Sequence, residues 1–184
     1  MISQTEVFTR VLSELNEAGI DYMIAGSLAA SAHGYVRDTH DMDLVVILSK
    51  ESVRALADRL GDDFYFDLEG AEEAVDNADM FNVIHYETSV KIDFWSLKND
   101  EYSRTQFDRR RTDNTWGIST FVETPEDTIL SKLLWNQMSP SDRQIGDIRG
   151  ILRTSGASLD YDYLRQWAVR LGVWDTLNRL IEEN

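Results

Sequence analysis

Cysteine is absent from the 184-residue chain, which excludes disulfides, thiolate metal sites and a cysteine nucleophile together. Histidine is scarce: His33, His40 and His85 are the three, and no two stand at ligand spacing. Any metal chemistry must therefore rest mainly on carboxylates, which favour hard cations such as Mg²⁺ or Mn²⁺. No apolar run approaches the roughly 18 residues that cross a bilayer. The opening Met1-Ile2-Ser3-Gln4-Thr5-Glu6 also lacks a basic-then-apolar leader pattern. No membrane association and a cytoplasmic location are the expectation. Positive charge is in short supply, with 18 Lys and Arg against 33 Asp and Glu and a formal net charge of −15. Extensive nucleic-acid binding, which needs clustered cations on phosphates, is not expected. Arg104, Arg109, Arg110 and Arg111 form a local exception. They read either as a solvated helix end or as a patch for a polyanionic substrate or acidic partner.

A hydrophobic content of 42% over this length suffices for one core, or a core with a small helical lobe. Val7, Phe8, Val11, Leu12 and Leu15 share one helix face that stops at Gly19. Ile20 to Ala25 reads as a strand, Gly26-Ser27 as a tight turn, and Leu28 to His33 as a short helix. The β-branched run after Asp41-Met42-Asp43 reads as a buried central strand, and Ser49 and Gly61 bound a following helix. Phe64 to Leu68 reads as a strand and Glu69 to Asp79 as a short helix or loop. Phe81 to Tyr86 and Val90 to Trp95 are predicted to form a hairpin across Glu87-Thr88-Ser89. From Thr124 the pattern is helical throughout, with Thr124-Pro125 and Ser139-Pro140 each read as an N-cap with proline at the first helical position. The expected fold is α/β (α+β), a mixed sheet flanked by helices over residues 1–123, with a helical lobe over 124–184.

Two carboxylates two residues apart on a strand leave the same face, so Asp41 and Asp43 converge while Met42 points away. Like charges so aimed are relieved by a cation, and oxygen-only ligands select Mg²⁺. The plainer alternative is a solvated strand end. Gly26 permits close backbone approach and Ser27 offers a hydroxyl, a phosphate cradle in outline; the alternative is a turn in which Ser27 N-caps the helix. Asp93 lies on a strand whose other face is Val90, Ile92 and Phe94, so it emerges beside Lys91 and Trp95, placed to be a third ligand or a base. The tryptophans Trp95, Trp116, Trp135, Trp167 and Trp174 read as packing residues, any of which would alternatively stack a base.

The order Gly26-Ser27, Arg37-x-Thr39-x-Asp41-x-Asp43 before a hydrophobic strand, then a single Asp93 on a later strand, resembles the nucleotidyltransferase superfamily of the DNA polymerase β-like fold. Pro125-Glu126-Asp127 leading to Lys132, then Arg143 and Asp147, is similar to the later motifs of minimal nucleotidyltransferases from abortive-infection and toxin–antitoxin systems. There the last motif has Arg followed by Asp, whereas Gln144 follows Arg143 here. The resemblance implies two Mg²⁺ ions held by Asp41, Asp43 and Asp93, with Asp93 activating an acceptor hydroxyl. It implies an NTP donor such as ATP, its phosphates contacted by Gly26, Ser27 and Lys132, with Asp147 orienting the lysine or a substrate group and Arg37 and Thr39 supporting the metal loop. The plainer alternative leaves Lys132 and Asp147 solvent-facing on amphipathic helices. The acceptor would be a protein, a tRNA end or a small molecule such as an aminoglycoside, and a cognate partner protein is implied by the toxin–antitoxin likeness. A non-catalytic nucleotide-binding module on the same fold, and a carboxylate-metal hydrolase on another, are the competing readings.

Overall fold

A computed structural model describes residues 2–34, 39–114 and 117–184. Helix α1 (Gln4–Glu17) opens on a capping box in which Ser3 accepts from the Glu6 amide and Glu6 accepts from the Ser3 amide. Its predicted stripe, Val7 to Leu15, is buried. Strand β1 (Tyr22–Ala25) runs directly into α2 (Gly26–Ala32), and Gly26 at the joint has φ +61°, a conformation that a side chain would strain. Strand β2 (Asp41–Val46) precedes α3 (Lys50–Leu60), which Ser49 caps as expected. A 3₁₀ turn leads to β3 (Phe64–Phe66), then α4 (Leu68–Asp76) capped by Asp67. Strands β4 (Met80–His85) and β5 (Lys91–Ser96) form the predicted antiparallel hairpin.

Residues 97–122, which carry little periodicity, fold as α5 (Glu101–Asp108), β6 (Arg111–Asp113) and β7 (Thr120–Val122). The helices α6 (Pro125–Met138), α7 (Asp142–Ser155), α8 (Tyr161–Arg170) and α9 (Trp174–Glu182) complete the chain. Thr124 and Pro125 start α6 as predicted. Pro140 does not repeat the device: Ser141 is the cap of α7, so the proline precedes the cap instead of occupying the first turn.

Among the described residues the strands form one seven-stranded mixed sheet in the order β3-β4-β5-β2-β1-β7-β6. Strands β2 and β5 are parallel, as are β1 and β7, whereas β3, β4 and β5 pair antiparallel in series. Met42, Leu44 and Val46 of β2 and Ile92 and Phe94 of β5 share a buried face; period two then puts Asp41, Asp43, Lys91 and Asp93 on the other. The mixed sheet flanked by helices agrees with the expected fold class.

The chain divides into two units. The first is Met1–Ile24 with Thr39–Val122 and holds the sheet; the second is Ala25–Asp38 with Glu123–Asn184. The division differs from a cut at residue 123, because the buried Ala29 and Ala30 of α2 pack it with α6 and α7. A seven-residue helix has too little apolar surface to stand alone and follows its packing partners rather than its neighbours in sequence.

Candidate functional site

In the first unit, the parallel register of β2 and β5 places Asp43 opposite Asp93 and Asp41 opposite Lys91. The antiparallel register of β4 and β5 adds Asn82 beside Asp93. Three neighbouring strands therefore present Asn82, Asp93 and Asp43 in one row of one face, with Lys91 and Asp41 in the adjacent row. Asp41 is exposed, Asp43 half-buried and Asp93 only 7% exposed, so burial deepens toward β5.

Asp93 is the most constrained of the three. Its Oδ2 pairs with the Lys91 Nζ at 2.8 Å, while its Oδ1 is buried with no hydrogen-bond partner among the described residues. Burying an acceptor without a partner costs about 1–3 kcal/mol, so such an atom calls for an explanation. The hydrogen bond to Asp93 raises the Lys91 pKa, and the charges of Asp93, Asp41 and Asp43 add to this against the opposing effect of burial. Lys91 thus feels all three carboxylates. The Trp95 indole donates a long 3.4 Å contact to Asp43 Oδ1, joining the next residue on that face of β5 to the same cluster. Thr39 donates through Oγ1 to the Asp41 carbonyl at 3.2 Å, bracing the start of β2.

The donor chemistry fits a hard divalent cation: all three carboxylates offer oxygen donors on one face, and Asp93 Oδ1 is an acceptor lacking a partner among the described residues. It is not a preassembled metal cage. Among the described residues no group of three or more His, Asp or Glu side chains converges as a ready metal-holding cluster.

In the second unit, Gly26 has the positive φ noted above, and Ser27 does not cap α2: the cap position is Ala25, with no side-chain hydrogen bond. The Ser27 carbonyl accepts from Ser31 Oγ at 3.0 Å. Lys132 on α6 and Asp147 on α7 do not face solvent: they are 4% and 1% exposed and joined at 2.6 Å. Gln144, standing where the toxin-type motif has aspartate, accepts from Lys132 Nζ at 3.3 Å. Around this pair, Asp127 takes the Thr124 hydroxyl and the Tyr163 hydroxyl, each at 2.6 Å, and Glu126 takes the Asp160 amide at 3.0 Å. His33 Nε2 contacts the Glu123 carbonyl at 2.7 Å. Arg37 and Trp116 lie outside the described residues.

The arginine cluster disperses. Arg104 belongs to α5 and lines a hollow of about 300 Å³ with Val46, Ser96 and Lys98, at the opposite ends of β2 and β5 from Asp41 and Lys91. Arg110 pairs with Asp21 at 3.0 Å and stacks over Phe107 at 4.1 Å. The sequence reading passed over Asn82, although the hairpin carries the signal. Once the His85 amide bonds the Val90 carbonyl, counting back along both strands sets Asn82 against Asp93.

No protein-family model matches the chain, and no curated protein matches it in sequence. Solved structures do. The solution structure of the antibiotic-resistance factor ANT(2'')-Ia matches with TM-score 0.62 at 15% identity, covering 98% of each chain. An antigenic nucleotidyltransferase-like protein from Paracoccidioides brasiliensis matches with TM-score 0.55 at 19% identity, covering 97% of this chain and 92% of that one. ANT(2'')-Ia in complex with adenylyl-2''-tobramycin matches with TM-score 0.55 at 14% identity, covering 90% and 96%. These likenesses show a nucleotidyltransferase-like fold over nearly the whole chain.

Proposed function

We propose that the protein is a Mg²⁺-dependent nucleotidyltransferase that moves a nucleoside monophosphate from an NTP to a hydroxyl acceptor and releases pyrophosphate. The observation that carries the reading is the register of Asp43 with Asp93, with Asp41 on the same face and Asp93 Oδ1 buried and lacking a partner. Asp41, Asp43 and Asp93 would hold the metal, two ions in the full complement. When bound, Mg²⁺ supplies the positive charge that stabilises the attacking and leaving oxygens of an in-line displacement. The acceptor oxygen bonds to the α-phosphorus, the bond to the β-phosphate oxygen breaks, and pyrophosphate departs with that electron pair. Asp93 Oδ1 takes the hydroxyl proton, and Asp41 and Asp43 keep the face anionic toward the cation. Asn82 and Trp95 flank the carboxylates and orient what binds there.

Gly26 and Ser27 are proposed as phosphate contacts, supported by the backbone conformation that reserves position 26 for glycine. Lys132 is held by Asp147 in the interior of its own unit, so a phosphate contact from it requires that ion pair to open. The net charge of −15 favours a neutral or cationic acceptor over a nucleic acid. The adenylyl-2''-tobramycin bound to ANT(2'')-Ia supports testing small hydroxylated cations first. The toxin–antitoxin likeness, with its partner protein, rests on the α6–α7 motif residues alone, and co-purification with a tagged chain tests it.

One observation favours a second reading, a non-catalytic nucleotide-binding module: Lys91 already neutralises Asp93. The two are separated by incubating the protein with each NTP labelled at the α-phosphate, Mg²⁺ and a panel of hydroxylated acceptors and cell extract, beside an Asp41→Ala/Asp43→Ala variant. Carboxylate-dependent transfer of label establishes the enzyme. Carboxylate-dependent NTP binding without transfer establishes the module, and the absence of both refutes the site.

A further inference from the structure

Lys91 is a cation already inside the carboxylate face. It opens β5 opposite Asp41, reaches Asp93 Oδ2 at 2.8 Å, and is only partly exposed. A lysine two residues before a strand carboxylate shares its face, so the strand period brings the ammonium within reach of Asp93. Among the described residues the second Asp93 oxygen is buried without a partner, and the three carboxylates form no ready metal-holding cluster. An ammonium satisfies one carboxylate oxygen as a compact point charge, whereas a divalent ion would draw several together.

We propose that Lys91 is a built-in competitor for the metal: a resident counter-ion whose ammonium occupies Asp93, so that a divalent ion gains Asp93 as a ligand only by displacing it. This rests on the metal reading above and makes Lys91 the residue that sets how readily Asp93 joins the site. Without nucleotide, Asp93 is then withheld from the metal. The withheld state has a use. A carboxylate that stays paired until the cation arrives holds three like charges together without unfolding their strands, and an ion is taken up fully only when other ligands, such as phosphates, help displace the lysine.

The test is a double-mutant cycle read by Mn²⁺ binding, with free Mn²⁺ followed by its EPR signal in nucleotide-free protein. Lys91→Met and Lys91→Gln are each expected to bind Mn²⁺ about tenfold more tightly than the parent, the lower end of what shell residues contribute to metal affinity. Lys91→Arg, which keeps the charge, stays near the parent. Asp93→Asn is expected to change the parent's affinity less than about twofold yet to abolish the tightening in the Lys91→Met background. Melting in EDTA gives a second readout: Lys91→Met melts lower than the parent and is raised further by Mn²⁺. A merely structural lysine would lower metal affinity or leave it alone. Lys91→Met and Lys91→Gln binding no tighter than the parent overturns the proposal, as does tightening that survives Asp93→Asn. If Mn²⁺ binds the parent through Asp41 and Asp43 while the Lys91 variants are unchanged, only the competitor role fails. If no variant binds Mn²⁺ through these carboxylates, the metal reading falls and takes the competitor role with it.

Discussion

Two polar clusters in this protein are built from the same residue types and end in opposite states. In the second unit, Glu126, Asp127, Lys132 and Asp147 are all at most 4% exposed, and each has a short partner: Lys132 with Asp147, Asp127 with Thr124 and Tyr163, Glu126 with the Asp160 amide. In the first unit, Asp41, Asp43 and Asp93 crowd one sheet face, Lys91 pairs with Asp93 Oδ2, and Asp93 Oδ1 is buried with no partner among the described residues. Buried charge that is fully partnered joins helices, here α6 to α7 and α8. Buried charge that is under-partnered is a cost that folding alone does not explain, and such costs concentrate where a protein does chemistry.

That contrast is sharpest where a partner is removed. Asp147→Ala strands the Lys132 ammonium in the interior and is expected to cost about 3–5 kcal/mol in denaturant unfolding, whereas Lys132→Met/Asp147→Leu recovers most of the loss because no charge remains to be buried. Recovery failing in the double variant would mean the pair does more than neutralise itself. A saturating metal works on the other cluster: Mg²⁺ at about a hundred times its dissociation constant should stabilise the parent by about 2.7 kcal/mol and leave Asp43→Asn unmoved, as followed by thermal melts. Tyr163→Phe removes one donor from Asp127 and should cost about 1.5 kcal/mol, the lower end for a bond to a charged group because the tyrosine is only half-buried. The smallest effect belongs to Asp43→Asn without metal. It relieves like-charge crowding while keeping an acceptor for Trp95, so unfolding free energy should shift by less than about 0.5 kcal/mol, toward stability. A large loss there would place Asp43 with the structural cluster after all.

Much of the molecule was legible from short stretches. Ser49 announced its helix because a cap and the amide it serves are three residues apart. The hairpin of β4 and β5 was readable because its loop is short. Alternation alone put Asp41 and Asp43 on one face and drew Lys91 out beside Asp93. Residues 97–122 were opaque, because strands of three residues are too short to show a period and α5 has its apolar Tyr102 and Phe107 too close to its ends. The choice between a buried and a solvent-facing Lys132 and Asp147 was open for a different reason. On an isolated amphipathic helix a charge reads as solvent-facing, and only the approach of α6 to α7 turns both inward toward each other.

By itself, then, the sequence determined which residues could act together along one strand or one helix: the paired carboxylates of β2, the emergence of Asp93 beside Lys91, and the caps and glycine joint that start and stop elements. The tertiary structure decided what no local pattern encodes. It placed β5 beside β2 in parallel, so that Asp93, 50 positions beyond Asp43, stands next to it; it took α2 away from its own strand's unit; and it gave Asp93 a lysine on one oxygen and nothing on the other. The physical reason is range. Caps, turns and side-chain alternation are settled by covalent geometry over a few residues, whereas strand order and register are settled by which apolar faces bury together, a choice made only once distant segments meet.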